Sequence, residues 1–255
     1  MQIYVINLEK DVDRRLSIQT QMSRLNLSFE FVVGVLGKTI PNNELEVICN
    51  KRKTFRNLCR NLTKAEIGCA MSHISAYKEI VDKNIPCALI LEDDVILPDS
   101  LPDILCQIEK QVESQKPDLI LLSEATINDE QNASFYPDIY PFKSGRYASS
   151  YIITNLSAKI LIKNLYPINN VADDWEYIKR NKTLNVYAIK PALVVQNQNE
   201  FGSSTMTDLQ INRKKSLIDK FTYKICRLFC RIINTITETY NRIFNPYKGL
   251  YKISE

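Results

Sequence analysis

Three consecutive carboxylates, Glu92, Asp93 and Asp94, interrupt the apolar run ALILEDDVIL at residues 88–97. Like charges so crowded repel one another unless a cation or hydrogen-bond donors compensate them. A hard divalent cation held by oxygen ligands is the simplest compensation. Leu89, Ile90 and Leu91 are continuously apolar instead of alternating, which is the pattern of a strand buried on both faces. The acids then fall at its carboxyl end, the sheet edge where open α/β folds bind ligands. In extended geometry Glu92 and Asp94 point to one side and Asp93 to the other. By spacing alone, the same triplet could equally be a solvated turn.

Other residue types narrow the chemistry. A bound diphosphate needs its charge neutralised, either by a glycine-rich loop or by a carboxylate-held metal. The chain has only six glycines and neither a G-x-G-x-x-G nor a G-x-x-x-x-G-K-[ST] pattern, so the metal route remains. The single histidine, His73, lies in GCAMSH, where spacing alone favours a hydrogen-bonded structural residue. Asn7, Arg14 and Arg15 follow the first strand, and arginine suits phosphate because its planar fork is always charged. Asp173 and Asp174, in VADDWEY, stand on a separate segment. Acids at a helix start also serve as caps and favour the dipole, so that pair has a purely structural reading too.

Positioning these groups requires a sheet. IYVINL reads as a strand, residues 11–27 as an amphipathic helix with Leu16, Met22 and Leu25 on one side, and FEFVVGV as a second strand, which opens a βαβ unit. Residues 34–61 are polar and aperiodic and read as an ordered loop or lid. Thr63 with Glu66 forms a capping box for a helix through about Lys83, and the strand ending in the acids follows. A helix near 100–115, a short strand DLILLS reaching Ser123 and Glu124, and a polar loop over 125–145 come next. YASSYIIT is a further strand, a helix starts at Ser157, DDWEYIKR begins another, and LNVYAIKPALVVQ closes the sheet.

The whole-chain charge of +4 hides an asymmetry, because residues 211–255 carry ten Lys and Arg against three acids, leaving residues 1–210 at −3. Leu217, Phe221, Ile225, Phe229 and Ile232 recur at helical spacing among those cations, as in a basic interfacial helix on an anionic membrane. A helix docked on the protein's own core is the alternative. The seven cysteines are odd in number and lack paired C-x-x-C spacing, so they read as core thiols. The start lacks a signal-peptide pattern, and no apolar stretch is long enough to span a membrane, so a cytoplasmic location is expected.

IYVINLEKDVDRR, LTKAEIGCAMSHISAYKEI and IPCALILEDDVIL, in that order and spacing, resemble glycosyltransferase family 25 of lipopolysaccharide and lipooligosaccharide biosynthesis, over roughly residues 1–200. The resemblance implies a GT-A type α/β fold, a Rossmann-like mixed sheet flanked by helices that binds a nucleotide sugar. It implies a UDP-sugar donor, Mn2+ or Mg2+, and an acidic motif at Glu92-Asp93-Asp94. Asp94 would be the principal metal ligand, with Glu92 beside it, and Glu92 or Asp93 would contact the donor sugar and ribose. Asn7, Leu8, Arg14 and Arg15 would lie near the uracil or diphosphate, and Ser72 and His73 in the donor pocket. Transfer with inversion needs a base for the acceptor hydroxyl. The family pattern favours Asp173 over Asp174, with Glu124 the competitor. The expectation is a hexosyltransferase, with galactose from UDP-galactose favoured, acting on a lipooligosaccharide at the inner face of the cytoplasmic membrane and binding no nucleic acid. A nucleotidyltransferase and a non-catalytic sugar-binding protein are the rivals.

Overall fold

The computed structural model describes residues 1–128, 138–145 and 147–197. The basic segment 211–255 and Cys226 and Cys230 lie outside them. The chain opens with β1 (Gln2–Asn7), α1 (Val12–Arg24) and β2 (Glu30–Val33), then a 3-10 turn at Gly37–Thr39, α2 (Asn42–Ile48) and α3 (Lys51–Leu58). The long α4 (Lys64–Asp82) leads into β3 (Cys87–Glu92), β4 (Val95–Ile96), α5 (Leu101–Glu109) and β5 (Asp118–Leu121). Next come β6 (Thr126–Ile127), β7 (Ile139–Ser144), β8 (Ser150–Thr154), α6 (Asn155–Leu165), α7 (Trp175–Arg180), β9 (Asn185–Ile189) and β10 (Val195–Gln196).

Eight strands form one mixed sheet in the order β2-β1-β3-β8-β5-β9-β7-β6, and β10 pairs with β4 in a separate ribbon. β1 runs parallel to both β2 and β3, whereas β8 is antiparallel to β3 and to β5. Strand alternation then sorts the core into two layers. Tyr4, Ile6, Ala88 and Ile90 face the layer that holds Ile74 and Tyr77 of α4 and Leu161 of α6. Ile3, Val5, Leu89 and Leu91 face the one that holds Ile18 and Met22 of α1 and Leu105 of α5. Helices therefore cover both faces, which is why β3 needs no polar residue until Glu92. Each such fully buried side chain contributes roughly 1.5–3 kcal/mol.

The fold is the expected helix-flanked mixed α/β sheet, with several corrections to its parts. Segment 34–61 is not a loop, since it carries the 3-10 turn, α2 and α3, which pack Ile40, Leu45, Ile48 and Cys49 against Ile67 of α4. These apolar residues are too widely spaced along two short helices to show a clear period. Within 125–145, β6 and β7 extend the sheet edge. Pro141 in β7 conceals that strand, because proline argues against an interior one. LNVYAIKPALVVQ does not close the sheet: β9 lies between β5 and β7, and the segment ends in β10 beside β4. Leu16 is 57% exposed, being two residues from Ile18 and so on the opposite side of α1. The helix after Pro98 stops at Glu109, and α6 begins at Asn155, with the Thr154 hydroxyl accepting from the Ser157 amide. Cys49 and Cys87 are core thiols, but Cys59 and Cys69 are only partly covered and Cys106 is exposed.

Candidate active site

The carboxyl ends of β1 and β3 lie side by side, with Ile6 in register with Glu92. The strand stops there. Asp93 and Asp94 sit in the turn before β4, so the strict alternation expected of the triplet does not hold, and both acids turn toward the first turn of α1. Arg14 reaches back from that turn, its Nη1 lying 3.2 Å from Asp93 Oδ1 and 3.4 Å from Asp94 Oδ2. Asn7, the last residue of β1, donates from Nδ2 to Asp93 Oδ2 at 2.7 Å. Both Asp93 oxygens are thereby matched. Asp94 is matched on one side only: Oδ2 also accepts from Gln196 at 3.1 Å, whereas Oδ1 is buried and has no hydrogen-bond partner among the described residues.

The electrostatics follow from that geometry. Burial raises the Asp93 carboxyl above its ordinary range, against the opposing pull of Asn7 and Arg14. Burial also pushes Asp94 up, to about 6, with the Glu92 charge adding to the shift and Arg14 resisting it. A carboxylate that is costly to ionise and keeps one oxygen unmatched suits an incoming cation.

The facing wall is α4. Its start is fixed by the capping box at Thr63 and Glu66 and by Arg60, whose two guanidinium nitrogens meet the Glu66 oxygens at 2.6 and 2.8 Å. Burial alone would raise the Glu66 carboxyl, but Arg60 and Thr63 hold it below the usual range. Gly37 and Gly68 let the 34–40 segment lie directly on α4. A Cβ on Gly37 would fall 1.8 Å from the Lys64 carbonyl oxygen, and one on Gly68 would fall 2.5 Å from that of Val35. Ser72 pins the same segment, accepting from the Val35 amide and donating to the Gly68 carbonyl, each at 2.8 Å. One turn above Cys69, His73 sets Nδ1 2.7 Å from the Tyr151 hydroxyl and Nε2 3.4 Å from Glu92 Oε1.

Between these walls opens a cleft of about 400 Å³. Leu8, Val35 and Leu36 give it an apolar side, while Arg14, Lys10, Lys38 and Lys64 supply cations around the acids. Of the residues singled out from the sequence, Leu8, Arg14, Ser72, His73, Glu92, Asp93 and Asp94 all line it, with Asn7 directly behind Asp93. Arg15 does not line the cleft: its guanidinium stacks on Phe31 at 3.9 Å and donates to Asn7 Oδ1 at 3.4 Å, behind Asp93. Asp174 is a helix cap: Oδ1 accepts from the Tyr177 amide and Oδ2 from Asn170 Nδ2. Those two bonds give it the capping role that acids at a helix start serve. Glu124 is exposed and does not line the cleft. Asp173 is partly buried and, like Glu124, does not line the cleft; burial, then the Glu92 charge and then that of Asp173, push the Cys69 thiol up.

Sequence reasoning missed Cys69, the three lysines and Gln196. Cys69 could have been found, because it stands four residues before His73 on one helical face. The lysines have no such signal: Lys38 and Lys64 meet through the packing of the 34–40 segment on α4, and Lys10 joins them from the turn between β1 and α1. The residues present fit the divalent cation that the resemblance implies, since Asp94 Oδ1 is a buried oxygen lacking a donor and Glu92 stands in the same cleft.

The pattern for glycosyltransferase family 25 (LPS biosynthesis protein) matches residues 1–176. A relative in Bos taurus named "Probable inactive glycosyltransferase 25 family member 3" is 28% identical over 139 residues, 52% of this chain and 23% of that protein. Procollagen galactosyltransferase 2 of Mus musculus is 32% identical over 99 residues, 37% of this chain and 16% of that protein. The chain thus spans about a quarter or less of these relatives' length. A solved glycosyltransferase involved in the glycosylation of the major capsid of PBCV-1 aligns with a TM-score of 0.40 and 12% identity, over 83% of this chain and 98% of that one. With the three sequence blocks meeting in one cleft and the match covering residues 1–176, this chain belongs to glycosyltransferase family 25.

Proposed function

We propose that the protein is a metal-dependent, inverting hexosyltransferase that takes galactose from UDP-galactose and adds it to a lipooligosaccharide or lipopolysaccharide glycan. The observation that carries this reading is the unmatched, buried Asp94 Oδ1 in a cleft ringed by Arg14, Lys10, Lys38 and Lys64. Asp94 and Glu92 would hold the divalent cation, which supplies charge neutralisation for the diphosphate leaving group. Around it, the chain's own residues do the rest. Arg14 and the lysines bind the phosphates, and Leu8, Val35 and Leu36 offer a flat apolar face to the base. Ser72 keeps that face in place through Val35. Asp173, which the family resemblance favours and which stands on a segment separate from the acids, accepts the proton of the acceptor hydroxyl as the new glycosidic bond forms. The galactosyl donor follows the printed name of the mouse relative, and the acceptor class follows the family's description. Residues 211–255 would hold the enzyme on an anionic inner-membrane surface.

The bovine relative's name, which marks it as inactive, favours a non-catalytic sugar-binding protein as the second reading. Incubating the purified chain with a panel of UDP-, GDP- and CDP-sugars, Mn2+ and truncated lipooligosaccharide separates the readings. Release of UDP with a matching hexose mass gain on the glycan supports transfer. Pyrophosphate release would instead show a nucleotidyltransferase, and donor binding without turnover would show a sugar-binding protein.

A further inference from the structure

Cys69, His73 and Glu92 present three metal-ligating atoms within 4.8 Å of one another. Cys69 and His73 are one turn apart on α4, so their side chains share a face, and Glu92 meets them from the end of β3. The His73 Nε2 to Glu92 Oε1 distance is 3.4 Å, longer than an ordinary N–H···O hydrogen bond. That separation is about 3.4 Å for a nitrogen and an oxygen ligand around tetrahedral zinc, given Zn–N and Zn–O bonds of roughly 2.0–2.2 Å. The thiol closes the set with an inward shift of about 1 Å at most, since a Zn–S bond of ~2.3 Å places sulfur roughly 3.6 Å from the other two ligands.

The surroundings match what metal-binding histidines require behind them. His73 Nδ1 is 2.7 Å from the Tyr151 hydroxyl, which is 2.9 Å from the Tyr77 hydroxyl. When Tyr151 donates to Tyr77, Nδ1 must donate to Tyr151. Nε2 then carries a lone pair facing a carboxylate oxygen, and two facing acceptors call for a cation between them. The opposite proton order puts a hydrogen on Nε2 and leaves no place for a metal. Tyr151 and Tyr77 are both fully buried, and a buried outer partner of this kind fixes the ring and raises ligand affinity.

We propose that Cys69, His73 and Glu92 form a three-ligand site for a Zn2+-class cation, open to the cleft at its fourth position. It shares Glu92 with the oxygen site at Asp94 but differs from it in ligand chemistry, because thiolate and imidazole select softer ions than carboxylate alone. Binding forms a Zn–S bond, and the Cys69 thiol proton passes to solvent. The site does not rest on the glycosyltransferase reading, because its occupancy is read with the metal alone.

The test is a titration of the metal-stripped full chain with Co2+, followed by absorption. A thiolate-to-cobalt charge-transfer band in the near ultraviolet, visible bands of four-coordinate Co2+, and displacement of both by Zn2+ are expected. The band should vanish in Cys69→Ser yet persist in Asp94→Asn and in the double variant Cys226→Ser, Cys230→Ser. Tyr151→Phe should weaken Zn2+ affinity about 10–100-fold, as loss of an outer partner does, with the fold checked by circular dichroism. No charge-transfer band in the unsubstituted protein, or a band that survives Cys69→Ser, overturns the proposal.

Discussion

The β1 wall and the α4 wall of the cleft differ in how completely their polar atoms are matched. On the β1 side, Asn7 and Arg14 account for both oxygens of Asp93. Beyond Asp93, Asp94 keeps a buried oxygen without a donor among the described residues, and Glu92 meets His73 of α4 at 3.4 Å. A matched group holds its neighbours in place. An unmatched buried one costs free energy, which a ligand can recover. Asn7 and Arg14 therefore position Asp93, while Asp94 and the Glu92–His73 pair are left to bind. Of two adjacent acids beyond the cleft, Asp174 is engaged as a helix cap and Asp173 is partly buried.

The largest effect is expected at Asp173, the proposed base. Asp173→Asn should lower transfer by about 10²–10⁴-fold, the usual contribution of a general base, while donor affinity stays within a factor of two or so. Steady-state kinetics beside calorimetric UDP binding check this. If transfer is retained, Asp173 is not the base.

A positioning residue should register in stability instead. Arg14 is 12% exposed between two carboxylates that are under 10% exposed, and removing one partner of a buried ion pair typically costs about 3–5 kcal/mol. Arg14→Met should lower unfolding free energy by that order at neutral pH in urea titrations. A loss below about 1 kcal/mol would show that solvent already screens the cluster.

The unmatched oxygen should register in pH dependence. Asp94 is held up to about 6 in the folded protein, from an ordinary value of 3.8. The folded state thus binds its proton more tightly than the unfolded chain does, and ionising Asp94 lowers stability. The penalty is absent below about pH 4, grows through the interval to about 6, and is complete above it, at no more than ~3 kcal/mol. With chelator present, Asp94→Asn should therefore gain stability relative to the unsubstituted protein between pH 4.5 and 7.5. Parallel pH profiles would mean that Asp94 is not strained by burial.

The smallest effect belongs to the cap. Asp174→Ala should cost about 0.5–2 kcal/mol and leave the Michaelis constant for donor unchanged. A loss of turnover matching that of Asp173→Asn, with the fold intact, would place Asp174 in the chemistry after all.

Local signals made part of this arrangement legible. The continuous apolar run before Glu92, the capping box at Thr63 and the strand ending at Asn7 each act through neighbours in sequence, and each lies where those neighbours put it. What escaped depends on contacts between distant segments. The turn that takes Asp93 and Asp94 out of strand geometry is held by Arg14, about eighty residues earlier, and by Gln196, about a hundred later. Likewise Lys38 and Lys64 share the cleft because Gly37 and Gly68 allow two backbones to touch, and β7 stays hidden because its strand contains Pro141.

The division between positioning and binding groups is tested most directly by calorimetric titration of UDP into the protein with Mn2+ and with chelator, for the unsubstituted chain and for Asp94→Asn. The account predicts that UDP binds the unsubstituted chain strongly only with Mn2+, and that Asp94→Asn, still folded, loses that dependence together with most of the affinity. Equal UDP affinity with and without the cation, or a cation dependence untouched by Asp94→Asn, would contradict it.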